Sequence, residues 1–467
     1  MGLWLWLAAV ALTGLNSWAV SSASYFNLDL RQNRYLGEIQ HSTQEANYTQ
    51  LGLDLNLEPR HVGSYNYKLS AKSQGAFESR EEFYFGVPEA YVEPLRQNRG
   101  LTLTVGRKRR TWSRLDEQFA LGVWQPQLRW DYLAPIQQGL TGIFLDWRMT
   151  RQFKTVFYTS PIHLPDQGPQ YRLKDGQFYS SNRWFQQPTG AIRLFNETRY
   201  AEDVPLHFEI DQPSNDELFV QSGFGLGLEY DHDNGFWSHL NLAYKPRNQI
   251  HLGIECQNCA TLGGGPSPLE ITARIHPKTV KHFVATWETG FQKVDHRGWI
   301  SLTGDFPGTS GFPAEYEEAS LDSNAIVGAA YQHALSPDWV GRPMWLQYSY
   351  VRVLDLAKRG AGSRFEEDQV RSSWDRYPIR NVAAFDWRVR LISTGRNLLN
   401  WTNRYQYSIP ERGGWLSSFL ELEQGQLKWL LGADILGSDV EPGSQEAGLF
   451  TRYRANDRVF GGVSYVF

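Results

Sequence analysis

The chain has 467 residues, 41% of them hydrophobic, 21% charged and 14% aromatic, with a formal net charge of −4. A mean hydropathy of −0.47 excludes a bundle of membrane helices, each of which needs about 20 consecutive apolar residues. Only 2 cysteines exclude a disulfide-built scaffold, the aromatic content excludes a disordered chain, and the slightly acidic balance leaves no basic footprint for nucleic acid.

What remains is a long chain rich in Gly and aromatics, with its apolar residues dispersed. The one long apolar run is Leu3 to Leu12, followed by the small-residue patterns Ser17-Trp18-Ala19 and Ser21-Ser22-Ala23. That is the form of a secretory signal peptide over residues 1–23, too short to span as a helix, although no Lys or Arg precedes it. Export explains the scarcity of thiols. No low-complexity or Pro-rich linker divides residues 24–467, which read as one domain.

From there the period is two. Leu51, Leu53, Leu55 and Leu57 alternate with Gly52, Asp54, Asn56 and Glu58, a pattern that no helix can use. The same alternation recurs over 65–72, 101–105, 141–148, 224–230, 239–245, 271–276, 283–291 and 345–352. It continues over 383–391, 399–407, 416–422, 429–436, 449–454 and 459–467. Weaker instances occupy 25–39, 82–93, 151–160, 206–211, 299–305 and 325–335. Most are about ten residues long, the length at which a tilted strand crosses a hydrocarbon layer. Turn-rich links such as 410–414, 424–426 and 454–457 join them as antiparallel hairpins in an up-and-down meander.

One face of these strands carries Leu, Val, Ile, Ala and aromatics; the other carries charge repeatedly. A soluble sandwich permits the same strings, so periodicity alone does not choose between sandwich and membrane barrel. Two further features do. Aromatics such as Trp147, Phe157, Tyr230, Tyr244, Phe291, Tyr407, Trp415, Trp429, Tyr453 and Tyr465 fall near strand ends, where interfacial girdles are built. The chain also ends in Arg458-Val-Phe-Gly-Gly-Val-Ser-Tyr-Val-Phe467.

That terminal strand, with Tyr465 third from the end and Phe467 last, resembles the C-terminal signal of Gram-negative outer-membrane β-barrel proteins. The resemblance implies an all-β fold: a transmembrane antiparallel up-and-down β-barrel of about 18 strands (range 16–20), placed in the outer membrane by the barrel-assembly machinery. Among such barrels the chain looks like a porin, and it matches no particular porin family. One conflict follows. With Phe467 in the periplasm, counting back puts the short turns 455–457 and 424–426 outside and the long segment 355–381 on the periplasmic side. Either a strand between 355 and 450 is miscounted, or the barrel has short outer loops and a periplasmic insertion.

The run Arg107, Lys108, Arg109 and Arg110 reads equally well as a cationic lining that attracts anions or as a rim that binds lipid phosphates. Residues 109–137, with Trp112, Trp124 and Trp130, are too long and too aromatic for an ordinary loop and are expected to fold inward as a plug or constriction. Residues 161–205 interleave aromatics with Arg and could line a sugar path, although a self-packed outer loop is the better reading. Cys256 and Cys259 suit a small structural disulfide. There is no Gly-x-Ser-x-Gly and no His-Glu-x-x-His, and neither metal nor cofactor is expected.

The expected function is passive diffusion of small hydrophilic solutes through a water-filled lumen, by a protein that is not an enzyme. A mild anion preference is expected because Lys68, Lys72, Arg148, Lys154, Arg274, Arg388, Arg390, Arg404 and Arg452 outnumber Asp54, Asp146, Glu229, Glu288 and Asp386 among inward positions. The expected partners are outer-membrane lipids, the solutes and the assembly machinery, with an oligomer left open. Two alternatives stay open: a closed barrel that binds surface polysaccharide or an envelope partner, and an outer-membrane hydrolase.

Overall fold

The computed structural model describes residues 24–38, 44–57, 65–79, 81–96, 100–186, 191–195, 201–257, 271–312, 317–318, 321–335, 344–357, 376–395, 397–441, 444 and 446–467. The expected signal peptide and Cys259 lie outside the described residues, as does the side chain of Cys256.

Eighteen strands form one antiparallel sheet. They are β1 (Tyr25–Tyr35), β2 (Asn47–Leu57), β3 (Asn66–Ala76), β4 (Phe83–Arg96), β5 (Leu101–Lys108), β6 (Leu140–Arg148), β7 (Phe153–Ser160), β8 (Gly223–Asp231) and β9 (Phe236–Pro246). The second half comprises β10 (Lys281–Gln292), β11 (His296–Pro307), β12 (Ser323–Leu335), β13 (Met344–Ala357), β14 (Asn381–Thr394), β15 (Asn397–Ser408), β16 (Gly413–Gln424), β17 (Leu427–Ser438) and β18 (Arg458–Val466). Each pairs with its neighbour in sequence, and β18 pairs back onto β1, from Asn27 opposite Val466 to Tyr35 opposite Arg458. No edge is left, so every wall strand has partners on both sides.

The alternation decides which side chains meet lipid. Val105, Ile143, Phe157, Phe224, Ile300 and Leu431 stand exposed on the outside, while the opposite face of the same strands carries Thr104, Asp146, Asn241, Glu288 and Asp434 as buried polar residues. An apolar exterior around a polar interior inverts the order of a soluble fold and is the order of a membrane-spanning barrel. Of the proposed girdle aromatics, Trp415 is buried on the inner face and Tyr453 packs in a loop; Trp147, Phe157, Tyr244, Phe291, Tyr407 and Trp429 are exposed on the outer wall.

Three alternating segments are not wall strands. Residues 206–211 and 271–276 overlap Ala201–Ile210 and Ile271–Lys278, which pair in parallel in a separate five-stranded sheet built from three loops. Residues 449–454 hold a short helix, Leu449–Arg452, and a 3-10 turn. Losing that strand resolves the conflict over sides. The short links 148–153, 231–236, 292–296, 394–397 and 424–427 lie at one end with Phe467, and the long links 108–140, 160–223, 246–281, 357–381 and 438–458 lie at the other.

Candidate functional site

Residues 109–139 turn into the barrel. Ser113 caps the helix α1 (Arg114–Phe119) by accepting the amide of Asp116, and Asp116 in turn takes the amides of Val123 (3.0 Å) and Trp124 (2.9 Å), which folds the segment back on itself. Trp112 and Trp124 stack with ring centroids 5.1 Å apart. The expected inward segment is therefore present, and its aromatics are its own core.

It reaches walls on opposite sides of the lumen. Trp124 donates to Thr286 of β10 at 2.8 Å, Asn241 of β9 donates to the Trp112 carbonyl at 2.7 Å, and Gln118 donates to Ser349 of β13 at 2.5 Å. Asp131 is ion-paired with Arg458 of β18 at 2.6 Å, and Arg458 also holds Asp434 of β17 at 2.7 Å. Glu288 of β10 accepts the Ser113 hydroxyl (2.8 Å) and the Arg114 amide (3.0 Å). Around these bonds, Leu115, Phe119 and Leu133 pack with wall residues Phe144, Val284, Ile326 and Val382 and with Trp184, Phe450 and Tyr453 from other loops. The long-loop half of the lumen is thus filled by one hydrophobic core.

The run 107–110 anchors this plug. Arg107 donates to the Gly139 carbonyl at 3.1 Å, Lys108 pairs with Glu93 (3.3 Å) and Asp146 (3.6 Å), and Arg109 pairs with Glu89 at 3.0 Å. Arg110 bridges Asp146 at 2.8 Å and Glu229. Lys68, Lys72 and Lys154 are likewise paired, with Glu89 (3.3 Å), Asp54 (3.4 Å) and Asp146 (3.1 Å). Inward charge is mutual neutralisation here rather than a free cationic ring. Arg148 lies at the short-turn end of β6.

Two of the named cations are not in the wall at all. Arg274 sits on the loop sheet between Glu209 and Glu255, 3.5 Å from each, and Arg452 ends the short helix 449–452. Both fell on alternating segments that belong to the long-loop end.

Arg388, Arg390 and Arg404 line a compartment of about 770 Å³ bounded by Leu133 and Ala134 of the plug and by β12 to β18 and β1. Arg31 and Arg458 complete its guanidinium groups; Asp386, Glu421 and Asp434 are its carboxylates. Arg404 lies 2.6 Å from Asp386, Arg388 lies 3.8 Å from Glu421, and Arg390 rests over the Trp345 ring at 5.6 Å. The barrel is closed, apolar outside and polar within. No family model matches the chain, and no curated protein matches it in sequence. Solved structures similar to it include OccK9 (OpdG) of Pseudomonas aeruginosa, at 8% identity and a TM-score of 0.44 over 95% of this chain and 97% of that one. OccAB1 of Acinetobacter baumannii gives 8% and 0.46 over 96% of each chain. Wzi of Escherichia coli, described as a carbohydrate-binding β-barrel involved in group 1 capsule assembly, gives 10% and 0.44 over 98% and 88%. At these identities and scores nothing of their activities transfers to this chain.

Sequence reasoning missed Arg31, Trp345 and the Asp131–Arg458–Asp434 triad. Their signal was weak, because each is an ordinary inward residue or loop residue until the register places it. Titration also departs from the ordinary inside the plug. Burial pushes the Asp116 carboxyl up to about 6 against the two amides that favour its charge. Burial, with Asp116 and Glu288 close by, pushes Glu117 up to about 7.

Proposed function

We propose that the protein is a porin-like outer-membrane channel for small hydrophilic solutes, held in a plugged state by residues 109–139. The polar compartment between the plug and β12 to β1 carries this reading: a charged interior cavity has no use in a barrel that only anchors. Short turns at the Phe467 end and long links opposite suit a periplasmic C-terminus with loops outside. Export through residues 1–23, and capture of the Tyr465 and Phe467 strand by the barrel-assembly machinery, belong to the same reading. With four exposed or half-buried guanidinium groups against Asp386 and Glu421, a mild anion preference follows.

The packed core of the long-loop half favours a second reading, a closed barrel that binds surface polysaccharide or an envelope partner. A hydrolase gains no such support: His282 is tied to Asp305 at 2.7 Å, and Asp305 to Tyr377, all fully buried away from any substrate. Planar-bilayer recording separates the first two. A channel shows low unitary conductance in the full chain and a several-fold rise when residues 112–134 are replaced by a short Gly-Ser link. Silence in both forms rejects the channel.

A further inference from the structure

Three carboxylates surround the start of α1 where the plug touches the wall. Asp116 and Glu117 lie in the first turn of α1, and Glu288 of β10 closes on the same turn through the Ser113 hydroxyl and the amides of Arg114 and Leu115. The Thr111 hydroxyl donates to the Glu117 carboxylate at 3.2 Å.

The cations around them are committed elsewhere. Arg114 lies over the Trp237 ring at 4.5 Å, and Arg110 and Lys154 are shared between Asp146 and Glu229. On the far side of Asp116, Arg129 pairs with Asp166 at 3.6 Å and Lys245 is held by Asn248 at 3.1 Å. His239, opposite Glu288 on β9, lies 3.5 Å from Asp231. From β13 the Ser349 hydroxyl accepts from Gln118, and Val351 joins the plug's core.

We infer that the inward segment is a proton-dependent plug, seated while Asp116 and Glu117 carry protons and loosened when both ionise beside Glu288. This names the regulation of the proposed channel and rests on that reading. The sign follows from linkage. A carboxyl whose pKa is higher in the seated state than in the released state favours seating at low pH, and that contribution is lost as pH rises through the seated value. Here the two values, about 6 and about 7, place the transition near neutrality. Glu117 then gains a charge near Asp116 and Glu288, and Asp116 gains one in a buried position, where the charged form is poorly solvated.

The test records open probability between pH 5.5 and 8.5 in planar bilayers, together with hydrogen exchange of amides 113–124 in the detergent-solubilised full chain, corrected for intrinsic rate. The full chain is expected to open at least tenfold more often at pH 8 than at pH 5.5, with faster exchange over 113–124. Glu117→Gln, which keeps the Thr111 acceptor, is expected to flatten the rise and leave only the part that Asp116 supplies near about pH 6; Asp116→Asn removes the remainder. A flat profile, opening on acidification, or an unchanged slope in Glu117→Gln overturns the inference. Exchange is read without current. A barrel silent at every pH even without residues 112–134 therefore rejects the channel reading, while pH-dependent exchange over 113–124 in the full chain still upholds the titrating plug.

Discussion

Arg183 and Asn456 are joined twice. The Arg183 Nε donates to Asn456 Oδ1 at 3.2 Å, and the Asn456 amide donates back to the Arg183 carbonyl at 2.9 Å. The same guanidinium donates to the carbonyls of Glu38 (2.9 Å) and Ala455 (2.8 Å) and lies over the Tyr35 ring at 4.7 Å. A buried cation bonded to the carbonyls of Glu38 and Ala455 ties the 160–186 segment to the links after β1 and before β18.

Arg183→Ala strips several buried acceptors of their donor at once. Each orphaned group costs about 1–3 kcal/mol, so the long-loop end is expected to loosen while the 18-stranded wall persists. Heat-dependent mobility in detergent checks this: the variant should lose its folded mobility at a lower temperature, with Arg183→Lys recovering part of the loss.

Gly328 of β12 lies where Leu115 of the plug presses on the wall. A Cβ there would stand 2.5 Å from Leu115 Cδ1 and 2.6 Å from the Tyr350 carbonyl. Gly328→Val is expected to push α1 off the wall, at the cost of about 1–3 kcal/mol usual for overpacking. Unitary conductance should rise, and an unchanged current with an intact barrel would contradict the seating described for Leu115.

Glu411, in the link between β15 and β16, accepts the Thr451 amide at 2.8 Å and its hydroxyl at 3.1 Å. Burial raises its carboxyl pKa against those bonds. The raised value means that docking of residues 449–452 is strongest at acidic pH and weakens as pH rises through it. Exchange at amides 449–452, corrected for intrinsic rate, should therefore quicken from pH 5 to 8, and Glu411→Gln should flatten that dependence.

Selectivity is expected to follow the compartment rather than the overall charge. Reversal potentials in a salt gradient should show weak anion preference, and Arg388→Glu with Arg404→Glu should turn it toward cations. Cation preference in the unaltered protein would refute the assignment.

Much of the wall was legible in the sequence because lipid on one side and water on the other impose a two-residue period on every strand. Each of the 18 wall strands coincides with an alternating segment, from Tyr25 to Val466. Alternation is local, however, and says nothing of partners. Residues 271–276 alternate because the loop sheet also has an apolar face, where Ile271 and Ala273 pack with Phe178 and Phe208. Residues 449–454 alternate over a stretch too short to separate strand from a single helical turn. That one error changed the parity of the count and so inverted the two ends.

The plug was visible as length and aromatic excess in 109–137. Its anchors were not, since Asp146, Glu229 and Asp434 lie far along the chain from Arg110 and Arg458. A run of four cations looked like a lining because its counter-charges arrive only through the register.

The β1–β18 seam has its own consequence. Phe467 donates its amide to the Phe26 carbonyl at 2.8 Å, and the two rings lie 5.4 Å apart, so the wall is a ring in which the first strand and the last are ordinary neighbours. Joining Phe26 to Phe467 through a short linker and cutting the chain within 424–427 would give a circular permutant with all wall pairings retained. Strand order in time and strand order in space are thus separable in this barrel, and only the former depends on where the chain is cut.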